Sequence, residues 1–143
     1  MSQYHNEGHE IIIVSDGSTD RSNEILENCN FIHLVKFNHN KGKGIAIKEG
    51  LCRANKDRII LFDGDLEIHP SLLSKLMILD DKKNITCVFA NRLNKKFSLT
   101  IWDIGNFFLN SLFNLVNNSN VKDALCCAKS FLKSDIDTSA LKS

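Results

Sequence analysis

The chain has 143 residues, 43% hydrophobic and 24% charged, a balance that suits one folded domain and excludes a disordered polymer. Eighteen lysines and arginines against 17 acids leave a formal charge of +1, so no global field exists to hold nucleic acid, and any anion site must be local. The five cysteines (Cys29, Cys52, Cys87, Cys126 and Cys127) lack C-x-x-C spacing and read as reduced thiols of a cytoplasmic chain, Cys52 and Cys87 as small core hydrophobes.

Residues 2–10 are polar and read as a loose opening without a signal peptide. Glu10-Ile11-Ile12-Ile13-Val14 is a β-branched run that suits a strand buried on both faces, stopped by Ser15-Asp16-Gly17-Ser18. Ser18 or Thr19 then caps a helix whose inner face is Ile25 and Leu26. Phe31-Ile32-His33-Leu34-Val35 is a second strand, and the glycine loop Asn40-Lys41-Gly42-Lys43-Gly44 leads into a helix carrying Ile45, Ile47, Leu51 and Ala54. Arg58-Ile59-Ile60-Leu61-Phe62 is a third strand. Pro70 opens a helix that turns Leu72, Leu73, Leu76, Met77 and Leu79 inward, and Ile85-Thr86-Cys87-Val88-Phe89 is a fourth strand. Residues 99–116 form a very apolar helix. It reads as packed on the sheet, the sharper alternative being an interfacial helix on a membrane with Lys95 and Lys96 at its edge. Strands alternating with helices imply an α/β fold with a mostly parallel sheet, whose ligands gather at the carboxyl ends of the strands.

Three features carry candidate chemistry. Asp63-Gly64-Asp65 leaves the third strand, and carboxylates two apart on an extended strand share a face, so both could reach one hard cation such as Mg2+ or Mn2+; equally, Asp and Gly are plain turn formers. Asp16 stands at a strand tip where a carboxylate can accept hydrogen bonds from a base or ribose, while Ser18 and Asp20 are better explained as helix caps. The loop at Gly42-Lys43-Gly44 lacks the Lys-Ser/Thr ending of a P-loop and fails the dinucleotide fingerprint at Ile47. Lys41, Lys43 and Lys48 either steer a diphosphate or solvate a helix face. His5 and His9, with Glu7 between them, read as a solvated tail rather than a zinc site.

Together these segments resemble the family 2 glycosyltransferases. The run from Ile11 to Asp20 is similar to that family's hydrophobic strand followed by D-D-G-S-T-D, and Asn40-Lys41-Gly42-Lys43-Gly44-Ile45-Ala46 to its N-x-G-K-G-x-A segment. Asp63-Gly64-Asp65-Leu66-Glu67-Ile68-His69-Pro70 resembles D-x-D-L-x-x-x-P, Ala90-Asn91-Arg92 the G-S/N-R tripeptide, and the stretch from Asp123 to Phe131 a late D-x-x-x-G-x-K-x-F segment. The nearest branch is that of dolichyl- and polyprenyl-phosphate sugar transferases. The resemblance implies a Rossmann-like GT-A nucleotide-diphospho-sugar transferase fold in a single domain. It implies inverting, divalent-metal-dependent transfer from a UDP- or GDP-sugar to a lipid phosphate or glycan, at the cytoplasmic face of a membrane that the chain touches peripherally. It implies that Val14, Asp16, Lys43, Asp63, Gly64 and Glu67 contact the nucleotide sugar and that Asp63 and Asp65 hold the metal. Asp65, Arg92 and Asp123 would be catalytic, Arg92 as a bidentate cation and Asp123 as the one late candidate base, with a cap or ion pair as its plainer role.

The sequence also departs from that pattern. Ser15 replaces the first aspartate of the pair, and Cys127-Ala128 stands at the small-to-glycine position. The family opens with a further strand and helix and continues beyond the equivalent of Ser143. The chain is therefore expected to lack its first strand and helix, leaving apolar surface that favours homo-oligomers. Two other readings stay open: a phosphatase of the haloacid dehalogenase type, which also places D-x-D after a hydrophobic strand, and an inactive remnant acting through association.

Overall fold

The computed structural model describes residues 1–65, 68–79, 85, 87–91, 101–138 and 141. These form two compact units, Met1–Asp57 with Leu132–Ser143, and Arg58–Phe131.

The first unit opens not with a loose tail but with helix α1, Ser2–Asn6. It ends in a Schellman motif: the N–H of Gly8 donates to the His5 carbonyl at 2.9 Å and that of His9 to Tyr4 at 3.0 Å, with Gly8 at φ 86°. Strand β1, Ile12–Asp16, pairs in parallel with β2, His33–Phe37, setting Asp16 opposite Phe37. Both strands start two residues later than the apolar runs suggest, so Asp16 is the last strand residue rather than part of the turn. Helix α2, Ser22–Glu27, also starts late. Neither Ser18 nor Thr19 caps it; Asp20 Oδ1 instead accepts from the Ser22 N–H at 3.0 Å, and the Ser22 hydroxyl, followed by that N–H, lowers the Asp20 carboxyl pKa. Ile25, expected inside, is exposed, because so short a helix covers little of the sheet. Helix α3, Lys43–Arg53, packs on β1 with Leu51 buried, and a Cβ at Gly50 would touch Val14 Cγ2 at 3.5 Å. The later chain returns to this helix: Lys133 donates from Nζ to the Ala54 carbonyl at 2.8 Å and from its N–H to the Asp57 carbonyl at 2.7 Å.

In the second unit, β3 (Arg58–Leu61), β5 (Lys129–Leu132) and β4 (Cys87–Phe89) form a sheet in the order β3-β5-β4. Here the parallel expectation gives way, since β4 and β5 run antiparallel, with Val88 opposite Ser130. Pro70 opens a 3-10 turn, Pro70–Leu72, leading into helix α4, Leu73–Leu76. His69 caps the turn, its ring nitrogen accepting from the Ser71 N–H at 3.3 Å. Leu73, Leu76 and Leu79 are buried with Ile68, Ala124, Cys126, Ala128 and Phe131, whereas Leu72, expected inside, is exposed. The inward positions for Cys52 and Cys87 are also corrected: both thiols are exposed, and the buried one is Cys126.

Helix α5, Ile101–Asn117, lies where the apolar period predicts a helix but faces the other way. Phe107, Phe108, Leu109, Leu112, Leu115 and Val116 are exposed, while Asn106, Asn110 and Asn114, spaced by four on one face, are half-buried. The cause is a hydrogen-bonding demand. Val121, Lys122 and Ala124 lie outside the strands, and asparagine amides supply both a donor and acceptors to their backbone. Asn110 Nδ2 donates to the Val121 and Lys122 carbonyls at 3.0 and 3.2 Å, and its Oδ1 accepts from the Ala124 N–H at 2.7 Å. Asn114 donates to the Val121 carbonyl at 2.9 Å and accepts from the Val121 N–H at 2.8 Å. Among the described residues no helix is long and apolar enough to cross a membrane.

Candidate functional site

At the carboxyl end of the β1–β2 sheet, two loops 25 residues apart in sequence lock together. Asp16 Oδ1 accepts from the Lys41 N–H at 2.7 Å and Oδ2 from the Gly42 N–H at 3.0 Å, so one carboxylate closes the glycine loop. Asn40 Oδ1 accepts from the same Gly42 N–H at 3.0 Å. Both loops need glycine. Gly17 has φ 74°, and a Cβ there would lie 2.5 Å from the His39 carbonyl carbon. Gly42 begins α3 with φ 89° and ψ 154°, a conformation essentially confined to glycine. The Lys41 ammonium sits 4.5 Å from the centre of the Phe37 ring. Ser15, in the position of the family's first aspartate, is buried and donates from Oγ to Ser18 Oγ at 3.1 Å.

A carboxylate offers about four lone-pair positions, so Asp16 keeps acceptor capacity after binding these two amides. The structure therefore joins Asp16 to the glycine loop, a link no spacing rule reveals; the signal was the coincidence of Asp-Gly at one strand end with a glycine loop after the next. Val14 sits beside α3, and Lys43 is the first residue of that helix.

In the second unit β3 stops at Leu61, and Gly64 and Asp65 form a turn, so the pleat of a strand is not what sets Asp63 against Asp65. Asp63 is half-buried and Asp65 exposed. Gly64 has no positive φ, and a Cβ there would meet nothing within 4 Å. Carboxylates are the hard oxygen donors that Mg2+ and Mn2+ take, one or two at a time, completing their shell with water and phosphate oxygens. Among the described residues no group of three or more histidines, cysteines or acids is arranged to hold a metal by protein ligands alone.

Asp123 lies on the segment held by Asn110 and Asn114 and is half-buried. With Asn91, Asn120 and Lys122 it lines a shallow cleft of about 320 Å3 beside β4. Glu67 and Arg92 lie outside the described residues, as do Lys95, Lys96 and Leu99. His5 and His9 line a second shallow cleft, about 270 Å3, with His33 and Glu10 at the amino-terminal side of the β1–β2 sheet. Desolvation pushes the Glu10 carboxyl pKa up, but the Asn55 N–H at 2.8 Å, the Asn55 side-chain amide and His33 together hold it below its ordinary value.

Residues 2–138 match the model of the family described as Glycosyl transferase family 2. A glycosyltransferase of Bacillus subtilis, YkcC, is 36% identical over 94 residues, covering 63% of this chain and 29% of that protein. The undecaprenyl-phosphate 4-deoxy-4-formamido-L-arabinose transferase of Photorhabdus laumondii is 34% identical over 96 residues, 64% of this chain and 29% of its own. Its namesake in Proteus mirabilis is 26% identical over 136 residues, 90% of this chain and 40% of its own. The chain thus spans well under half the length of these relatives. The segments that fold around Asp16, Asp63 and Asp123 all fall within the matched stretch, and the chain belongs to glycosyl transferase family 2, whose fold is GT-A.

Proposed function

We propose that the chain binds a nucleotide-diphosphate sugar, UDP- or GDP-linked, and transfers its sugar with inversion to a polyprenyl-phosphate acceptor. The observation that carries this reading is the closure of Asp16 on the Lys41 and Gly42 amides, which joins two family segments into one loop pair. In this reading Asp16 accepts from the base, and Val14, Lys43, Gly64 and Glu67 line the donor. Asp63 and Asp65 hold Mg2+ or Mn2+ on the diphosphate, and Arg92 meets phosphate. A bound divalent cation supplies Lewis acidity where negative charge develops on the departing diphosphate. The sugar C1–O bond to the diphosphate breaks with its electron pair leaving on oxygen, while an acceptor oxygen forms the new bond from the opposite face. A phosphate acceptor is already an anion and needs no base; Asp123 acts as one only toward a hydroxyl. The polyprenyl-phosphate acceptor is favoured by the two named transferases, and it brings with it peripheral contact with a membrane.

Heat protection by UDP or GDP tests the reading. Protection that requires Mn2+ supports it. Protection by beryllium fluoride instead, a mimic of an aspartyl phosphate, would favour the phosphatase chemistry that D-x-D also serves.

A further inference from the structure

At the amino-terminal ends of β1 and β2, the first unit gathers three histidines and a lysine from separate segments. The Schellman turn at Gly8, φ 86°, reverses the chain after α1 and brings His5 and His9 to the start of β1. Parallel pairing sets the start of β2 alongside, the His33 N–H donating to the Ile11 carbonyl at 2.8 Å. Glu10 ties in the chain that follows α3: its Oε2 accepts from the Asn55 N–H at 2.8 Å and its Oε1 from Asn55 Nδ2 at 2.7 Å. That pair of bonds delivers Lys56 to the same place. The result is the cleft of about 270 Å3 lined by His5, His9, His33, Glu10 and Lys56. Ile11 and Phe31 give it an apolar wall, and the His5 ring lies 6.1 Å from that of Phe31.

The sign of the charge around this cleft depends on acidity. From α1 and the turn after it come Tyr4, whose ring stands edge-on to His9 at 6.1 Å, and Glu7, whose carboxylate lies 4.0 Å from His9 Nε2. From β1 comes Glu10, whose carboxyl is held below its ordinary pKa and so stays ionised near neutral pH. With neutral imidazoles, Lys56 stands alone against Glu7 and Glu10, and an anion is repelled. Imidazoles gain charge between about pH 8 and pH 5. Lys56, His5, His9 and His33 then stand against the same two acids, and the local charge turns positive. Protonation also changes the hydrogen-bonding sense, because a neutral imidazole offers one donor and one acceptor whereas a charged one offers two donors. The apolar wall of Ile11 and Phe31 keeps water from part of the cleft, which strengthens each charge contact.

We infer that this cleft is an acid-switched site for a compact oxyanion, a phosphate or sulfate group, held by His5, His33 and Lys56 as donors once the imidazoles are protonated. Among the described residues no group of three or more histidines, cysteines or acids is arranged to hold a metal ion. Donors spread around a wall suit a polyatomic anion, which offers acceptor oxygens in several directions, and bonds from a charged donor to an anion are roughly twice as strong as neutral ones. The cleft lies at the opposite end of the β1–β2 sheet from the Asp16 loops, so the inference is independent of the nucleotide reading.

Sulfate keeps its double charge across this range of acidity and is the probe of choice. Titrated into the full chain at about pH 5.5 and about pH 8, with ionic strength held constant by sodium chloride, it is followed through the histidine ring signals in NMR spectra. Saturable shifts at His5 and His33 are expected at the lower pH, with affinity at least tenfold weaker at the higher. Because coupling is reciprocal, saturating sulfate is expected to raise the titration midpoints of both rings. His33→Gln and Lys56→Ala are each expected to weaken sulfate at least threefold at the lower pH; both side chains are exposed, so the fold is retained. Equal affinity at the two pH values would overturn the inference. So would shifts that grow without saturating, which report ion screening only, and so would unchanged affinity in either variant.

Discussion

Replacing glycine by alanine at three positions separates two physical causes. At Gly64 an added Cβ meets nothing within 4 Å and φ is not positive, so Gly64→Ala is expected to leave stability within about 0.5 kcal/mol. At Gly8 the space is equally open but φ is 86°, so Gly8→Ala carries the left-handed backbone penalty alone, about 1–2 kcal/mol. At Gly17 the same penalty applies at φ 74°, and the Cβ would also overlap the backbone of His39 and Asn40. The loop must then retreat, taking the Lys41 and Gly42 amides away from Asp16. Two hydrogen bonds to a half-exposed carboxylate add about 1 kcal/mol each, so Gly17→Ala should cost about 3–4 kcal/mol in all. That is a large fraction of the roughly 5–15 kcal/mol that holds an ordinary domain. Urea unfolding read at constant m measures the three costs, and hydrogen exchange at Lys41 and Gly42 reports whether the loop has let go. A Gly17→Ala variant no less stable than Gly8→Ala, with both amides still protected, would refute the coupling of the two loops.

The same reasoning yields expectations elsewhere. Asn110→Ala removes partners from the Val121 and Lys122 carbonyls and the Ala124 N–H, so a loss of about 2–3 kcal/mol and faster exchange at Ala124 are expected, measured by denaturation and hydrogen exchange. Glu10 is held below its ordinary pKa of 4.5, so its contribution is complete above that value and is lost as pH falls through the lowered one; Glu10→Gln should flatten the acid limb of a stability–pH curve between about pH 5 and pH 3. Ser130 is buried with no hydrogen-bond partner for its Oγ, so Ser130→Ala should be neutral or raise the melting midpoint, whereas a drop equivalent to more than about 1 kcal/mol would contradict that reading.

Much of the fold was legible because β-branched runs and glycine punctuation are local signals. The strands at Ile13 and Leu34 were found but set two residues early, since apolar character marks burial and not where the ladder begins. Helix α5 was found by its period, yet its buried side was misjudged. The period reveals two faces but not which one a neighbour needs, and the need came from the backbone groups of Val121, Lys122 and Ala124 that the asparagine amides satisfy. Cys52 and Cys87 were placed inside on composition alone, and both are exposed. The bond from Asp16 to the glycine loop lay beyond any window, because it joins positions 25 apart through the parallel pairing of β1 with β2. The motif order from Asp16 through Asp123 was nevertheless enough to name the family that residues 2–138 match.

Titration calorimetry of UDP and GDP, with and without Mn2+, on the natural chain and on Asp65→Ala tests the central claim most directly. Asp65 is exposed beyond the end of β3, so its loss leaves the fold intact. The expected result is nucleotide binding that strengthens at least tenfold with Mn2+ in the natural chain and shows no such gain in Asp65→Ala. Equal affinity in the two proteins, with Mn2+ making no difference to either, would contradict the claim that the acidic turn holds a cation on a nucleotide diphosphate.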